Sequence, residues 1–584
     1  MQKLLLISVI ISIYGYSQPQ IIYWDKEETK KRSETNYRNG VHHGKYALWH
    51  KNGNIARTGE YDDGFEQGIW KSYYENGKPK TEEIYQLGKK HGRFTFWYAS
   101  GQKVQESFYK SGAEDSTWTG WWENGKVHTI ENFKAKQFAY YWQSVKEGKW
   151  IYYYENGNKE NEGTFSNNYK TGSYTAWFED GKTQVEGNYE KDKQTGKWKF
   201  WYKNGKPREE FEFVGDENLV MAYYSEDGKQ LLKDGTGTYK TFYESGKLKG
   251  EGSMAGGKQD GAWTLYDADG RKEHQITYLK GKKNGKCINY FIDGKVKSEG
   301  EFKDEKKNGS WKWYYEKGGL EMTGNFDSEI RIGHWTYWYF NGKKESEGWY
   351  KNDNQDSLWQ FWYENGQEWK KGYHKNNRRH GDWSFWYPGG QMAQKGSYVM
   401  NQENGIWQAW YETGQLKDEG TFKLGAMDGH WTGFHMNGVK SYDGYYSDSV
   451  KQGKWMYWFD NGKNWKEGSY SKGEEDGHWV SWLNSGTKEY EGNFKDGAKD
   501  GKWEFYYLYG AKWKVEHYSE GKLHGSFIEY LDDGVRIRIK GKYLKVRQLE
   551  GGSWLSVKDG TWEFYDEKGK LLRKEKYKKG QKTK

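Results

Sequence analysis

The sequence predicts an all-β fold: an elongated, single-layer, antiparallel β-hairpin repeat array of about 22 units of 24 residues, twisted along its length. Three observations predict it. A glycine that follows Asn, Asp or Ser in most units recurs from Gly53 to Gly569, and 17 of its 21 intervals are 24 residues, the mark of one supersecondary unit repeated and stacked. Composition is the second. Only 34% of the 584 residues are hydrophobic and 30% are charged, yet the chain holds 35 Trp, 51 Tyr and 25 Phe, whereas disordered chains of similar polarity are poor in aromatics. Third, 77 Gly against 4 Pro supply many turns to β-prone aromatic runs on either side.

Each unit reads as a hairpin. In Gly333-His334-Trp335-Thr336-Tyr337-Trp338-Tyr339-Phe340-Asn341-Gly342-Lys343 a β-prone run meets Asn-Gly, a strong hairpin signal because both residues tolerate positive φ. The second strand is expected over 344–350. A two-residue turn sets the residue seven before the turn glycine opposite the residue six after it, so Trp335 faces Gly348, and Gly333 faces Tyr350. Each large ring then lies over a glycine of the neighbouring strand. A three-residue turn with a bulge would shift this register and break the pairing.

The slots are strict. Seven before the turn glycine, 15 of 22 units carry Trp, and Cys287 takes that place in one of the others. Four before, every unit has an aromatic; eight after, all but Thr236, Met254, His374 and Lys542 are aromatic. With a side-chain period of two, positions minus seven, minus five and minus three share one face, and minus four points to the other. Both faces therefore carry aromatic rows, and each unit advances the sheet by about 9.6 Å.

The unit Gly-x-Trp-x-x-aromatic-Tyr-x-Asn-Gly-Lys, followed by Glu-Gly-x-Tyr/Phe and a glycine before the next Trp, resembles the MORN-repeat variant of bacterial YwqK-type antitoxin-like proteins, over about residues 36 to 580. The resemblance implies a MORN-like solenoid of hairpins. Such proteins are often described as antitoxin components, and related repeats serve as scaffolds or lipid-associated modules.

The expected organisation is a signal peptide over 1–17, an N-terminal cap over 18–43, a first arm of repeats over 44–206, irregular repeats with a bend over 207–240, a second arm over 241–535, an irregular terminal repeat and cap over 536–569, and a basic tail over 570–584. Lys3, the apolar run Leu4 to Tyr14 and the small residues of Gly15-Tyr16-Ser17 read as a secretory leader cleaved before Gln18. That implies an exported protein in the periplasm, at the cell surface or secreted. No later run approaches the length of a membrane-spanning helix, so the chain is not expected to be membrane-embedded. Cys287, the one cysteine, leaves no internal disulfide.

Net charge is +9, but eight positive residues lie between Lys570 and Lys584 against Glu575, which leaves the body nearly neutral. A nucleic-acid binder carries its charge as a patch on the fold, and no nucleic-acid partner is expected. The histidines that recur at repeat-equivalent places, His334, His430 and His478 after the strand glycine and His43, His91, His380 and His524 before it, stand a repeat apart and cannot converge on one ion; no metal and no cofactor are expected. The acids Glu162, Glu186, Glu347 and Glu419 recur before the second-strand glycine and read as cross-strand partners for lysine, because a catalytic pair needs two environments within one cleft. Neither a nucleophile elbow nor a phosphate loop is present, and no catalytic residues are expected.

The sharpest binding candidate is the row four before the turn glycine: Trp338, Trp362, Trp386, Trp410, Trp458 and Trp482. The expected function is a non-catalytic exported scaffold that binds protein partners along an aromatic-rich sheet. The alternatives are a cell-envelope glycan-binding module, or an antitoxin or immunity-type protein that neutralises a toxin.

Overall fold

The computed structural model describes residues 19–547 and 552–583, so the leader expected at 1–17 lies outside the described residues. These form 49 β-strands and no α-helix. The chain divides into two compact halves, Met1–Lys283 and Asn284–Lys584. Within each half, successive strands of eight or nine residues pair antiparallel, as Ile330–Trp338 with Lys344–Lys351 and that strand with Asn354–Trp362. The fold is the antiparallel hairpin array that the period and the aromatic slots predict.

Two turn types alternate, and the Asn-Gly turn is not the two-residue turn expected. Tyr339 N–H donates to Lys343 O (2.8 Å) and Gly342 N–H to Tyr339 O (2.9 Å), which leaves Phe340, Asn341 and Gly342 in the loop. Of these only Gly342 has positive φ (+82°), the geometry of a type I turn closed by a left-handed glycine. The register is nevertheless the expected one, Trp335 opposite Gly348 and Gly333 opposite Tyr350. Lys344 faces Trp338 while Ser346 faces Tyr337, so Glu345 is left over as a bulge. Turn and bulge each displace the pairing by one residue and cancel. Turns with both central residues at positive φ sit at the other end of the strands, at Asn352 (+51°) and Asp353 (+64°), and again at Asn376 (+50°) and Asn377 (+63°).

The Asn-Gly-Lys turn also stitches repeats together. Asn341 Oδ1 accepts from Lys343 N–H (2.9 Å), while its Nδ2 donates to Glu364 O in the next repeat (2.9 Å). Lys343 Nζ reaches Asn365 O (2.6 Å) and Tyr339 Oη reaches Trp362 O (2.8 Å). In the first half Asn156 and Tyr154 make the same bonds to Glu179 O (2.7 Å) and Trp177 O (2.9 Å). Within the expected cap, Gln20–Tyr23 pairs with Lys31–Arg38, and Trp24 Nε1 donates to Trp49 O (3.1 Å) where later repeats use the tyrosine.

The two strand glycines have different reasons. Nine before the turn glycine, the strand Asn354–Trp362 widens: Gly348 faces Trp359 and Trp349 faces Asp356, with Ser357 and Leu358 unpaired on that side. The bulge needs a left-handed residue, Gly333 at φ +67° in one repeat and Ser357 at +61° in the next. Ring cover is not the cause there, since the nearest atom to a Cβ built on Gly333 is Asn325 Nδ2 at an ordinary 3.6 Å. Gly348 is the glycine that a ring covers, and the ring belongs to Trp359 of the next repeat, not to Trp335 of its own hairpin; a Cβ there would fall inside the indole. The same indole donates Nε1–H to the carbonyl one residue further along, Trp359 to Trp349 O (3.0 Å), Trp383 to Tyr373 O (2.9 Å) and Trp503 to Asn493 O (2.9 Å). These rings are buried.

The breaks in period take definite forms. After Gly125 the insertion is a hairpin extension, with Val127–Phe138 paired to Tyr141–Lys146 through Ala139 and Tyr140. Over 207–240 pairing continues through Pro207–Val214, Glu217–Tyr224, the four-residue strand Gln230–Lys233 and Thr236–Phe242. Here Val220, Leu232 and Met254 join Tyr223, Tyr239 and Trp263 in one cluster. In the terminal repeat Ile537–Arg547 pairs with Trp554–Tyr565. An extra residue in its turn moves the ring from Lys542 to Tyr543, which faces Gly525 and packs on Trp562 at 5.1 Å. Within 570–584, expected as a basic tail, the described residues are instead folded: Leu571–Lys578 pairs with Trp554–Tyr565 and with Gln581–Thr583. Tyr577 lies in the ring slot eight after Gly569, 6.4 Å from Trp562, and the surrounding lysines ride on a strand.

Two substitutions test these assignments by urea unfolding. Gly348→Ala is expected to cost about 1–3 kcal/mol by overpacking against Trp359. Ser357→Gly is expected to stabilise by about 1 kcal/mol through relief of the left-handed serine.

Candidate functional site

The continuous aromatic contact lies on the face seven before and eight after the turn glycine. In the second half the rings alternate edge to face: Trp335 to Tyr350 (5.7 Å), Tyr350 to Trp359 (5.1 Å), then Trp383 to Tyr398 (6.1 Å) and Tyr398 to Trp407 (5.0 Å). Such pairs add about 0.5–1.5 kcal/mol each beyond buried area. His374 stands in for a ring, 6.3 Å from Trp359 and 5.0 Å from Trp383. Burial there, with Arg379 and Lys370 nearby, pushes its imidazole down to about 4.

Cations roof this row. Four residues before each indole, Arg379 sits 5.0 Å from Trp383 and 5.2 Å from Tyr398, Lys451 sits 4.4 Å from Trp455, and Lys499 sits 4.3 Å from Trp503. In the first half Lys146 does the same over Trp150 at 4.4 Å. Burial pushes the Lys451 and Lys499 ammonium groups below their usual range, because their stems lie on apolar rings. The sequence reading missed this slot; its trace is the cation eleven before the turn glycine in many units.

The six candidate tryptophans lie on the opposite face. Trp338, Trp362, Trp386, Trp410, Trp458 and Trp482 each end the first strand of a repeat and are half-buried. Members in adjacent repeats stand two strand spacings apart, about 9.5 Å, beyond the reach of ring-to-ring contact, and Phe434 takes the place between Trp410 and Trp458. Lysines fill the intervals: Lys344 Nζ lies 5.4 Å from the Trp362 ring, Lys371 5.1 Å from Trp386, Lys395 5.5 Å from Trp410 and Lys440 5.9 Å from Trp458. Lys344 and Lys440 also pair with Glu347 (2.7 Å) and Asp443 (2.8 Å), so lysine, acid and the next ring form a set. Lys159, Glu162 and Trp177 repeat it in the first half. Where tyrosine replaces the indole, Tyr314 Oη donates to Glu299 Oε1 (2.8 Å), and burial together with that carboxylate pushes the phenol up to about 12. Backbone bonds anchor the row, with Tyr315, Tyr339, Tyr363 and Tyr387 donating to the carbonyls of Trp338, Trp362, Trp386 and Trp410 and His435 Nε2 to that of Trp458 (2.9 Å).

The other candidates take structural places. Glu162 meets Lys149 across the strands (3.1 Å), Glu186 faces Lys199 in register, Glu347 pairs along its own strand, and Glu419 accepts from Gln408 (3.1 Å). His334, His430 and His478 lie beside Glu347 (3.9 Å), Asp443 (2.8 Å) and Glu491 (4.0 Å). His43 and His91 accept turn N–H groups from Asp63 and Ser111, and His524 accepts the strand N–H of Lys545, while His380 Nδ1 is buried without a partner. Three potential ligands do approach one another at His43, Asp62 and Asp63, but the Arg38 guanidinium is bonded to Asp63 there and supplies the positive charge. No helix among the described residues is long and apolar enough to cross a membrane.

Stacked hairpins whose side chains are committed to contacts between repeats define a β-hairpin repeat protein. The chain matches the MORN repeat variant over ten segments, 66–87, 90–111, 146–167, 170–191, 194–214, 236–255, 307–328, 379–400, 403–424 and 558–579. No curated protein matches it. Among solved structures it aligns with the TcdB2-TccC3-Cdc42 complex (9% identity, TM-score 0.13, 96% of this chain and 35% of the other), with TcdB2-TccC3 (10%, 0.13, 96% and 36%) and with a Photorhabdus luminescens Tc holotoxin pore (10%, 0.10, 96% and 34%). The chain spans about a third of each of those chains, and likeness this slight assigns neither architecture nor function.

His374 makes one repeat sensitive to acid. The unfolded chain takes up its proton near pH 6.5, the folded repeat only near 4, so stability is intact above 6.5 and is lost as pH falls through that window. In His374→Tyr this part of the loss disappears; calorimetric scans at pH 7 and pH 4.5 showing the same Tm difference in both proteins would exclude His374 as its source.

Proposed function

We propose that the protein is an exported, non-catalytic repeat scaffold that binds protein partners along the face bearing Trp338, Trp362, Trp386, Trp410, Trp458 and Trp482. The observation that carries this reading is the regular presentation of half-buried indoles between lysines and acids. Aromatic anchors ringed by charges have the composition of protein interfaces, and their repetition offers an extended partner many weak contacts in register. The acids are tied into repeated lysine–acid–ring sets, which supports a role without catalysis. The leader from Lys3 to Ser17 supports export to the periplasm, the cell surface or the medium.

One observation favours a second reading, a cell-envelope glycan ligand. Trp349 and Tyr373, seven after the turn glycine in adjacent repeats, are 48% and 49% exposed and stand two strand spacings apart, about 9.5 Å. Planar rings at that interval suit every second sugar ring of a β-linked polysaccharide.

Cross-linking in the native host, with partner identification by mass spectrometry, separates the readings. Substituting Trp362, Trp386 and Trp410 by Ser is expected to lower recovery of cross-linked protein about tenfold while the array stays folded. A large drop in Tm with unchanged capture per folded molecule would overturn the protein-binding face. Loss of polysaccharide pull-down in Trp349→Ser/Tyr373→Ser would establish the glycan reading.

A further inference from the structure

Two successive repeats lack the ring eight after the turn glycine, carrying Thr236 and Met254 there. His374 and Tyr543 supply a ring at the other two departures from the pattern, whereas at Thr236 and Met254 no ring fills the slot and Tyr239 meets Trp263 at 6.4 Å beside the methionine. The repeats around this gap are also the shortest, and the backbone is drawn together: Val220 N–H donates to Gly257 O (2.9 Å), and a Cβ on Gly257 would lie 2.7 Å from Leu219 Cβ.

Over this gap the sheet carries a concavity of about 750 Å³, a size typical of small-molecule sites. Phe211, Val220, Tyr239, Met254, Trp263 and Leu265 line its floor. Tyr239 offers no free hydroxyl, since its Oη donates to Glu209 Oε2 (2.8 Å), itself held by Arg208 (2.6 Å). These six side chains therefore form an apolar bed, with Asn218, Thr241 and Gln259 also in the lining. On the rim, both acids are neutralised, Asp216 by Lys193 and Glu217 by Lys258, each at 2.7 Å. Lys249, Lys280 and Lys282 line the same concavity, are exposed and enter no ion pair among the described residues. The net rim charge is positive above an apolar bed.

We infer that this concavity binds a small amphipathic carboxylate, its hydrocarbon body lying on Met254 and Trp263 and its anion facing Lys280 and Lys282. A hydrocarbon alone would gain only burial, whereas a carboxylate also makes charge-assisted contacts with the lysines. The inference goes beyond the partner-binding face and does not rest on it, since the concavity lies in the irregular repeats and uses none of the six tryptophans.

The test uses the full chain, with 8-anilinonaphthalene-1-sulfonate as fluorescent probe and dodecanoate as competitor below its micellar concentration. One saturable site is expected, from which dodecanoate displaces the probe and dodecan-1-ol does so about tenfold less well. Lys280→Glu/Lys282→Glu is expected to weaken dodecanoate about tenfold at unchanged Tm. Met254→Trp, which restores the missing ring, is expected to abolish binding with Tm held or raised. Equal affinity for the alcohol, unchanged binding in the double lysine variant, or retained binding in a folded Met254→Trp protein would each overturn the inference. Should Met254→Trp fail to fold, the lysine variant and the alcohol comparison decide it.

Discussion

An open sheet has no second layer to bury against, so each repeat must cover its neighbour, and the contact that does this is the indole seven residues before the turn glycine. It lies over a bare glycine of the preceding repeat, as Trp359 over Gly348, and gives its N–H to the next carbonyl, Trp349 O. One side chain thus removes apolar area from water, excludes solvent from the sheet backbone and satisfies its own polar atom. Much else follows from it: the glycine it covers stays bare, the ring eight after the turn packs against the indole, and in repeats such as those of Trp383, Trp455 and Trp503 a long cationic stem lies above both.

The two faces divide labour on that basis. On one, rings touch rings and Arg379, Lys451 and Lys499 cover them, so the face is filled from within. On the other, indoles a repeat apart are separated by lysines that pair with acids, as Lys344 does between Glu347 and Trp362. That surface retains solvent-facing ring edges and exchangeable ion pairs, each worth little alone and so readily replaced by a partner's groups. The low hydrophobic fraction of the chain has the same origin: aromatic rings, glycines and lysine stems supply the cover that aliphatic residues supply in a layered domain.

Much of this was legible in the residues. The 24-residue period, the strand positions and the opposition of Trp335 to Gly348 came from alternation and turn chemistry. The turn itself was misread, because Asn341-Gly342 suits a two-residue turn and the compensating bulge at Glu345 leaves no residue signature. The basic tail was misread for a related reason: charge masked the strand period that puts Tyr577 against Trp562. Of the candidate row, the six tryptophans stand where the spacing placed them, but the lysines between them were not foreseen. Those contacts join residues in different repeats, and no pattern within one hairpin reports them.

The sequence by itself determined that this chain is a repeated hairpin array and which residues share a face, because strand alternation and glycine turns are local and recur until chance is excluded. Tertiary structure decided which ring covers which glycine, where each indole N–H is bonded, why Gly333 and Ser357 must be left-handed, and that two missing rings open a concavity at Met254. Each of these depends on how one repeat is set against the next. That setting follows from turns and bulges whose offsets cancel in the register and are visible only once the strands are laid side by side.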